Sequence, residues 1–185
     1  MRLRTRRTLT ALTGAALAGT LALSAAPASA KASDGFVRGY GNWTDDWADE
    51  GTLSSTPATH GLSNATCLWQ KILWAEGAHN SDGKRFLASD ITGKWGHDTT
   101  AATRQIQYRW DLTADGIVGP GTFGRADVQL VHAGGSTAKG KKLNLTYRGL
   151  FHDFSVVRDE QGKYTFKDRL GNWRQAGYNY RTCKF

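Results

Sequence analysis

Chemistry in this chain would have to come from five histidines, sixteen acidic side chains and two cysteines. His60, His79, His97, His132 and His152 show neither H-x-x-x-H nor H-E-x-x-H spacing, the patterns that turn two imidazoles of one helix towards a metal. A glycosidase needs two carboxyl groups set on either side of one bond. Three glutamates, Glu50, Glu76 and Glu160, stand beside thirteen aspartates, and Glu76 next to Gly77 reads as a helix end. Asp111 to Gly116 superficially suggests a calcium loop. Its twelfth position is Thr122, where such a loop needs a bidentate Glu. No G-x-S-x-G elbow occurs. A cysteine nucleophile needs a free thiol near a histidine, and pairing of Cys67 with Cys183 would consume both thiols. These residues predict a protein that is not an enzyme, with no metal and no cofactor.

The 185 residues carry 24 Lys and Arg against 16 Asp and Glu, a formal charge of +8. Such an excess invites a nucleic-acid reading. Arg2, Arg4, Arg6 and Arg7, however, precede an apolar run from Leu9 to Leu23 and the small residues Pro27-Ala28-Ser29-Ala30. That order is a secretory signal over 1–30, too short and interrupted to be a membrane anchor. The Arg6-Arg7 pair leaves both general and twin-arginine export open. The signal holds four of the basic residues and none of the acidic ones, so residues 31–185 carry +4. The expected location is outside the cell or at its wall, and nucleic acid is not an expected partner. In an exported protein two cysteines predict a Cys67–Cys183 disulfide.

The elements that must position these groups follow from periodicity and turn residues. Residues 31–60 sustain no period, but Tyr40, Trp43 and Trp47 predict an arm that docks by its aromatics. Ser63 can cap a helix whose Leu68, Ile72 and Ala75 share a face and which stops at Gly77. Residues 78–90 read as a polar loop turning at Asn80-Ser81-Asp82-Gly83. A second helix is expected from an Asp98 N-cap to Trp110, and a third from Pro120 to about His132. Gly134 to Gly140 reads as a flexible boundary, giving a linker over 134–142. From 143 to 185 the period becomes two, as in Leu143, Leu145 and Tyr147. Asp159-Glu160-Gln161-Gly162 marks a hairpin between 154–158 and 163–167, and Tyr178 and Tyr180 alternate before Cys183. This predicts three or four antiparallel strands, and an α+β chain overall.

An internal repeat joins the helical elements. Gly93-Lys94-Trp95-Gly96-His97-Asp98-Thr99 matches Gly116-Ile117-Val118-Gly119-Pro120-Gly121-Thr122, and Trp69-Gln70-x-x-Leu73 matches Ile106-Gln107-x-x-Trp110. Each unit is a helix, a loop and a Gly-turn that launches the next helix. With Asp115-Gly116-Ile117-Val118-Gly119-Pro120-Gly121-Thr122, these motifs make residues 61–133 resemble the secreted peptidoglycan-binding domain of the three-helix, two-repeat type. The departures are Thr92 before Gly93, where an acidic residue is usual, a long 78–90 loop, and Asp111 where Gly often sits.

The resemblance implies a three-helix peptidoglycan-binding-like bundle followed by a small antiparallel β unit. It also implies a secreted, monomeric, non-catalytic protein whose partner is bacterial peptidoglycan. A groove between the second and third helices would hold the ligand. Trp95, His97, Arg104, Tyr108 and Asp115 are the candidate ligand-binding residues, with Trp95 better suited to plug the core. Two further readings stay open: a small wall-lytic hydrolase with its site between the helical and β parts, and a secreted inhibitor or interaction protein.

Overall fold

A computed structural model describes residues 34–56 and 59–183. The secretory signal expected over 1–30 lies outside the described residues. Three α-helices precede a sheet: α1 (Asn64–Ala75), α2 (His97–Arg109) and α3 (Pro120–Asp127), with a 3-10 turn at Ala88–Asp90. The sheet is a five-stranded antiparallel meander of β1 (Leu130–Gly135), β2 (Leu143–Arg148), β3 (Asp153–Arg158), β4 (Tyr164–Lys167) and β5 (Trp173–Gln175). The chain is therefore α+β.

Helix α1 starts where its cap is expected. The Ser63 hydroxyl accepts the Thr66 N–H, which has no partner within the first turn. It ends before Gly77, whose φ of +62° a side chain would strain. Its burial exceeds that of an amphipathic helix: Trp74 alone is not buried, because arm, sheet and α2 close on it from different sides. Polar residues survive inside because each has partners. Asn64, for instance, accepts the Thr182 N–H and donates to the Gln175 carbonyl.

Helix α2 departs from expectation at its start. The N-cap is Gly96, without a side-chain cap, and Asp98 lies inside the first turn. The Asp98 carboxylate instead accepts from the Ser81 hydroxyl and N–H, tying down the 78–90 loop. Helix α3 stops at Asp127, well short of His132, because Leu130 to Gly135 pair with β2. The expected linker at 134–142 is corrected by the same pairing. Gly134 and Gly135 are the bulged end of β1, facing Asn144 and Leu143, and the connection is only the hairpin that follows. The sheet has five strands where three or four are expected: β1 and β5 are added, while Tyr178 and Tyr180 lie beyond β5.

The arm is part of the core. Val37, Trp47 and Leu53 are fully buried. Trp47 packs edge-on against Phe123 of α3 and Tyr164 of β4 at centroid distances of 6.3 and 5.2 Å, so it fills the space between helices and sheet. Trp43 donates its indole N–H to the Leu130 carbonyl. One continuous apolar cluster runs through arm, helices and sheet. The Cys67–Cys183 disulfide ties α1 to the C-terminal segment, as expected from the sequence.

Candidate functional site

The two Gly-turns are built on one plan, with a buried glutamine at the centre of each. Gln70 accepts the N–H groups of Thr92 and Gly93 at 2.8 and 2.7 Å. Its amide nitrogen donates to the Lys94 carbonyl and the Thr99 hydroxyl at 3.0 and 3.1 Å. Gln107 accepts the Gly116 N–H at 2.8 Å and donates to the Ile117 carbonyl and the Thr122 hydroxyl at 2.7 and 3.1 Å. Gly93 and Gly116 have φ of +69° and +75°. Of the two residues between the glycines, the second turns inward in both units, with Trp95 6% exposed and Val118 fully buried. A preceding segment pairs along each turn, Leu62 with Lys94 and Leu53 with Val118. The glutamines match in the sequence repeat, but their role comes from the fold: each satisfies buried backbone groups that a turn leaves open.

The candidate residues divide into two groups around these turns. Trp95 lies in the core and donates its indole N–H to the Thr100 hydroxyl. Asp115 is exposed, but its Oδ1 accepts from Gln107 and from the Ile117 N–H, so it holds the second turn. His97, Arg104 and Tyr108 are exposed on α2. At about 100° per residue their spacing of seven and eleven from His97 places all three within roughly 40° of arc. Arg104 donates Nε to the Asp115 carbonyl at 3.3 Å and covers Gly116, so the stripe and the second turn adjoin. Tyr108 is 79% exposed, a large aromatic face offered to solvent.

Two clefts lie elsewhere. The larger, of about 450 Å³, is made by the arm and the β1–β2 hairpin, with Arg38, Tyr40, Asn42, Asp45, Asp49 and Lys139 in its wall. Buried carboxyl groups stand beneath it. Asp46 pairs with Arg158 and accepts the Tyr164 hydroxyl. Burial pushes Glu50 up to about 8, against the hydrogen bonds it accepts from the Tyr178 hydroxyl and the Arg38 N–H. Burial also pushes Asp127 up to about 7. The Trp47 N–H opposes this, and the charges of Asp45, Asp46 and Asp49 add to it. The second cleft, of about 360 Å³, lies where the ends of α1 and α2 meet the end of β2. Glu76, Arg109, Trp110, Gln129, Arg148 and Leu150 line it. None of these six is a candidate from sequence, since they come from four separate segments with no shared spacing.

Among the described residues no group of three or more His, Cys, Asp or Glu could hold a metal ion. Among the same residues no helix is long and apolar enough to cross a membrane. Compared with known protein families, curated proteins and solved structures, the chain has no match.

Proposed function

We propose that the protein is a secreted, non-catalytic binder of bacterial peptidoglycan. The observation that carries this reading is the shared construction of the two Gly-turns. The motifs by which the sequence resembles peptidoglycan-binding domains are the ones that Gln70 and Gln107 hold in place. Beside the second turn, α2 offers an exposed ring, a guanidinium and an imidazole in one stripe. Tyr108 would lie against a sugar or peptide face, and Arg104 would meet a carboxylate of the stem peptide. Trp95 and Asp115 support the reading indirectly, as parts of the scaffold.

The test is co-sedimentation of the purified protein with insoluble peptidoglycan. The wild type is expected in the pellet and a Tyr108→Ala, Arg104→Ala double variant largely in the supernatant. No pelleting above background would sink the proposal. A second reading, hydrolysis, rests on Asp45, Asp46 and Asp49 in the wall of the larger cleft, beneath which Asp127 is fully buried and pushed up to about 7 by that burial. Turbidity loss and released amino sugars, measured on the same samples, decide it. Stable turbidity with pelleting supports binding alone.

A further inference from the structure

We infer that the cleft between the ends of α1, α2 and β2 is a binding site for the free carboxylate of a short, apolar-ended peptide. The inference stands apart from the wall reading, because a carboxylate-ended peptide from any source has the same chemistry.

Two guanidinium groups, those of Arg109 and Arg148, line this cleft with the carboxylate of Glu76, and a third, that of Arg125, lies on Trp110 beside it. Arg109 is already engaged: Nη2 pairs with Glu76 at 2.6 Å and Nη1 donates to the Glu76 carbonyl. The other oxygen of Glu76 accepts the Tyr147 hydroxyl at 3.0 Å, so each oxygen of this acid has a partner from within the fold. Arg125 stacks over the Trp110 ring at 5.2 Å. Arg148 remains. Its backbone N–H is fixed on the Gln129 carbonyl, and its exposed guanidinium makes no hydrogen bond or ion pair among the described residues. Asp153 stands opposite Arg148 in the β2–β3 register but forms no ion pair with it. The Gln129 side-chain amide is likewise without a hydrogen bond among the described residues.

The cleft thus combines an open bidentate cation, an open amide donor, an indole wall and an apolar rim. The rim is Leu150, 67% exposed. A planar fork with an amide beside it suits a carboxylate, and Leu150 with Trp110 suits a small alkyl group next to that carboxylate. Two helix C-termini end here, and their carbonyls disfavour an anion. Arg109 covers the α1 carbonyl end, and Arg148 stands on the sheet side, which leaves the local balance positive.

The test uses the whole secreted chain and N-acetyl-alanyl-alanine in L,L and D,D forms, each as free acid and as C-terminal amide. Binding is followed by amide and indole NMR shifts. The acids are expected to move the Trp110 indole and the Leu150 amide saturably, with the amides at least about tenfold weaker. Arg148→Gln, at an exposed and unpaired position, should bring acid binding down to the amide level, and Lys141→Gln should leave it unchanged. Preference for the D,D form assigns the ligand to wall stem peptides, and preference for L,L to protein C-termini. Equal binding of acid and amide, unaltered binding by Arg148→Gln, or no saturable binding overturns the inference. If the dipeptides fail while wall pelleting persists, this inference falls and the wall reading stands. If the dipeptides bind while pelleting fails, the wall reading falls and this inference stands.

Discussion

Gln70 and Gln107 each replace several water contacts for backbone groups that the Gly-turns bury. Truncation to Ala would leave those groups without partners, at about 1–3 kcal/mol for each one left dry. Gln107→Ala is expected to cost about 2–4 kcal/mol in urea unfolding, and Gln107→Glu nearly as much, since Glu cannot donate to Ile117 and Thr122. A loss under about 0.5 kcal/mol would show that the turns hold themselves. A second prediction concerns Asp111, whose φ is +57°. Gly is common at this position in the domains the sequence resembles, and the backbone supplies the reason. Asp tolerates this left-handed region at a cost, and Gly adopts it freely. Asp111→Gly is expected to raise stability by about 0.5–1 kcal/mol, measured by the same unfolding midpoint.

At the scale of elements, the arm is held to the body by acids that are more easily protonated when folded. Glu50, in the arm, titrates at about 8 against an ordinary 4.5. Asp127, which receives the arm's Trp47 N–H, titrates at about 7 against an ordinary 3.8. A raised carboxyl pKa means that the folded state binds more protons in the window between the two values, so stability falls as pH rises through it. The decline therefore runs from about pH 4 to pH 8 and levels off above. Glu50→Gln keeps most of the hydrogen bonding without the charge. Relative to wild type, this variant is expected to gain stability from pH 5 to about pH 8 and little beyond, by several kcal/mol at most. Urea midpoints at pH 5, 7 and 9 test it, and a constant difference between the two proteins would refute the latch.

The same scale shows what the sequence can and cannot reveal. Ser63, Gly77 and the paired Gly-turns are legible because local backbone geometry demands those residue types. The start of α2 is not, because Gly96 caps through its backbone conformation and leaves Asp98 free to bind Ser81. Nor is the end of α3, because Leu130 to Gly135 take their conformation from β2, which is distant in sequence. The exposed stripe of His97, Arg104 and Tyr108 follows from helical spacing, whereas Arg148 and Gln129 meet only through the fold. The arm's place in the core is half legible: its aromatics signal docking, but not the burial of Trp47 between α3 and β4.

For the whole molecule, the Cys67–Cys183 bond is the point where the separate parts converge. Cys67 lies in the buried helix and Cys183 at the end of the sheet segment, 116 residues apart. Gly93, the first residue of the first Gly-turn, packs so closely on both sulfurs that a Cβ there would meet them at 2.7 and 2.8 Å. Opening the bond therefore frees the chain end and loosens the turn at once. Closing a loop of this length restricts the unfolded chain by about 4–5 kcal/mol in the entropy account. For a chain of this size a loss of that order lowers Tm by about 10 °C or more. Reduced protein, or the Cys67→Ala, Cys183→Ala pair, should show that drop in a thermal scan. The parts do not share one fate, however. The second Gly-turn rests on Gln107 and Leu53, its Gly116 packs on Thr100 and Arg104 and not on the sulfurs, and Arg104 adjoins that turn with Tyr108 one helical turn further along α2. If these residues carry wall binding, the reduced protein below its Tm should still pellet with peptidoglycan. Loss of pelleting at a temperature where the fold persists would move the binding face to the first turn.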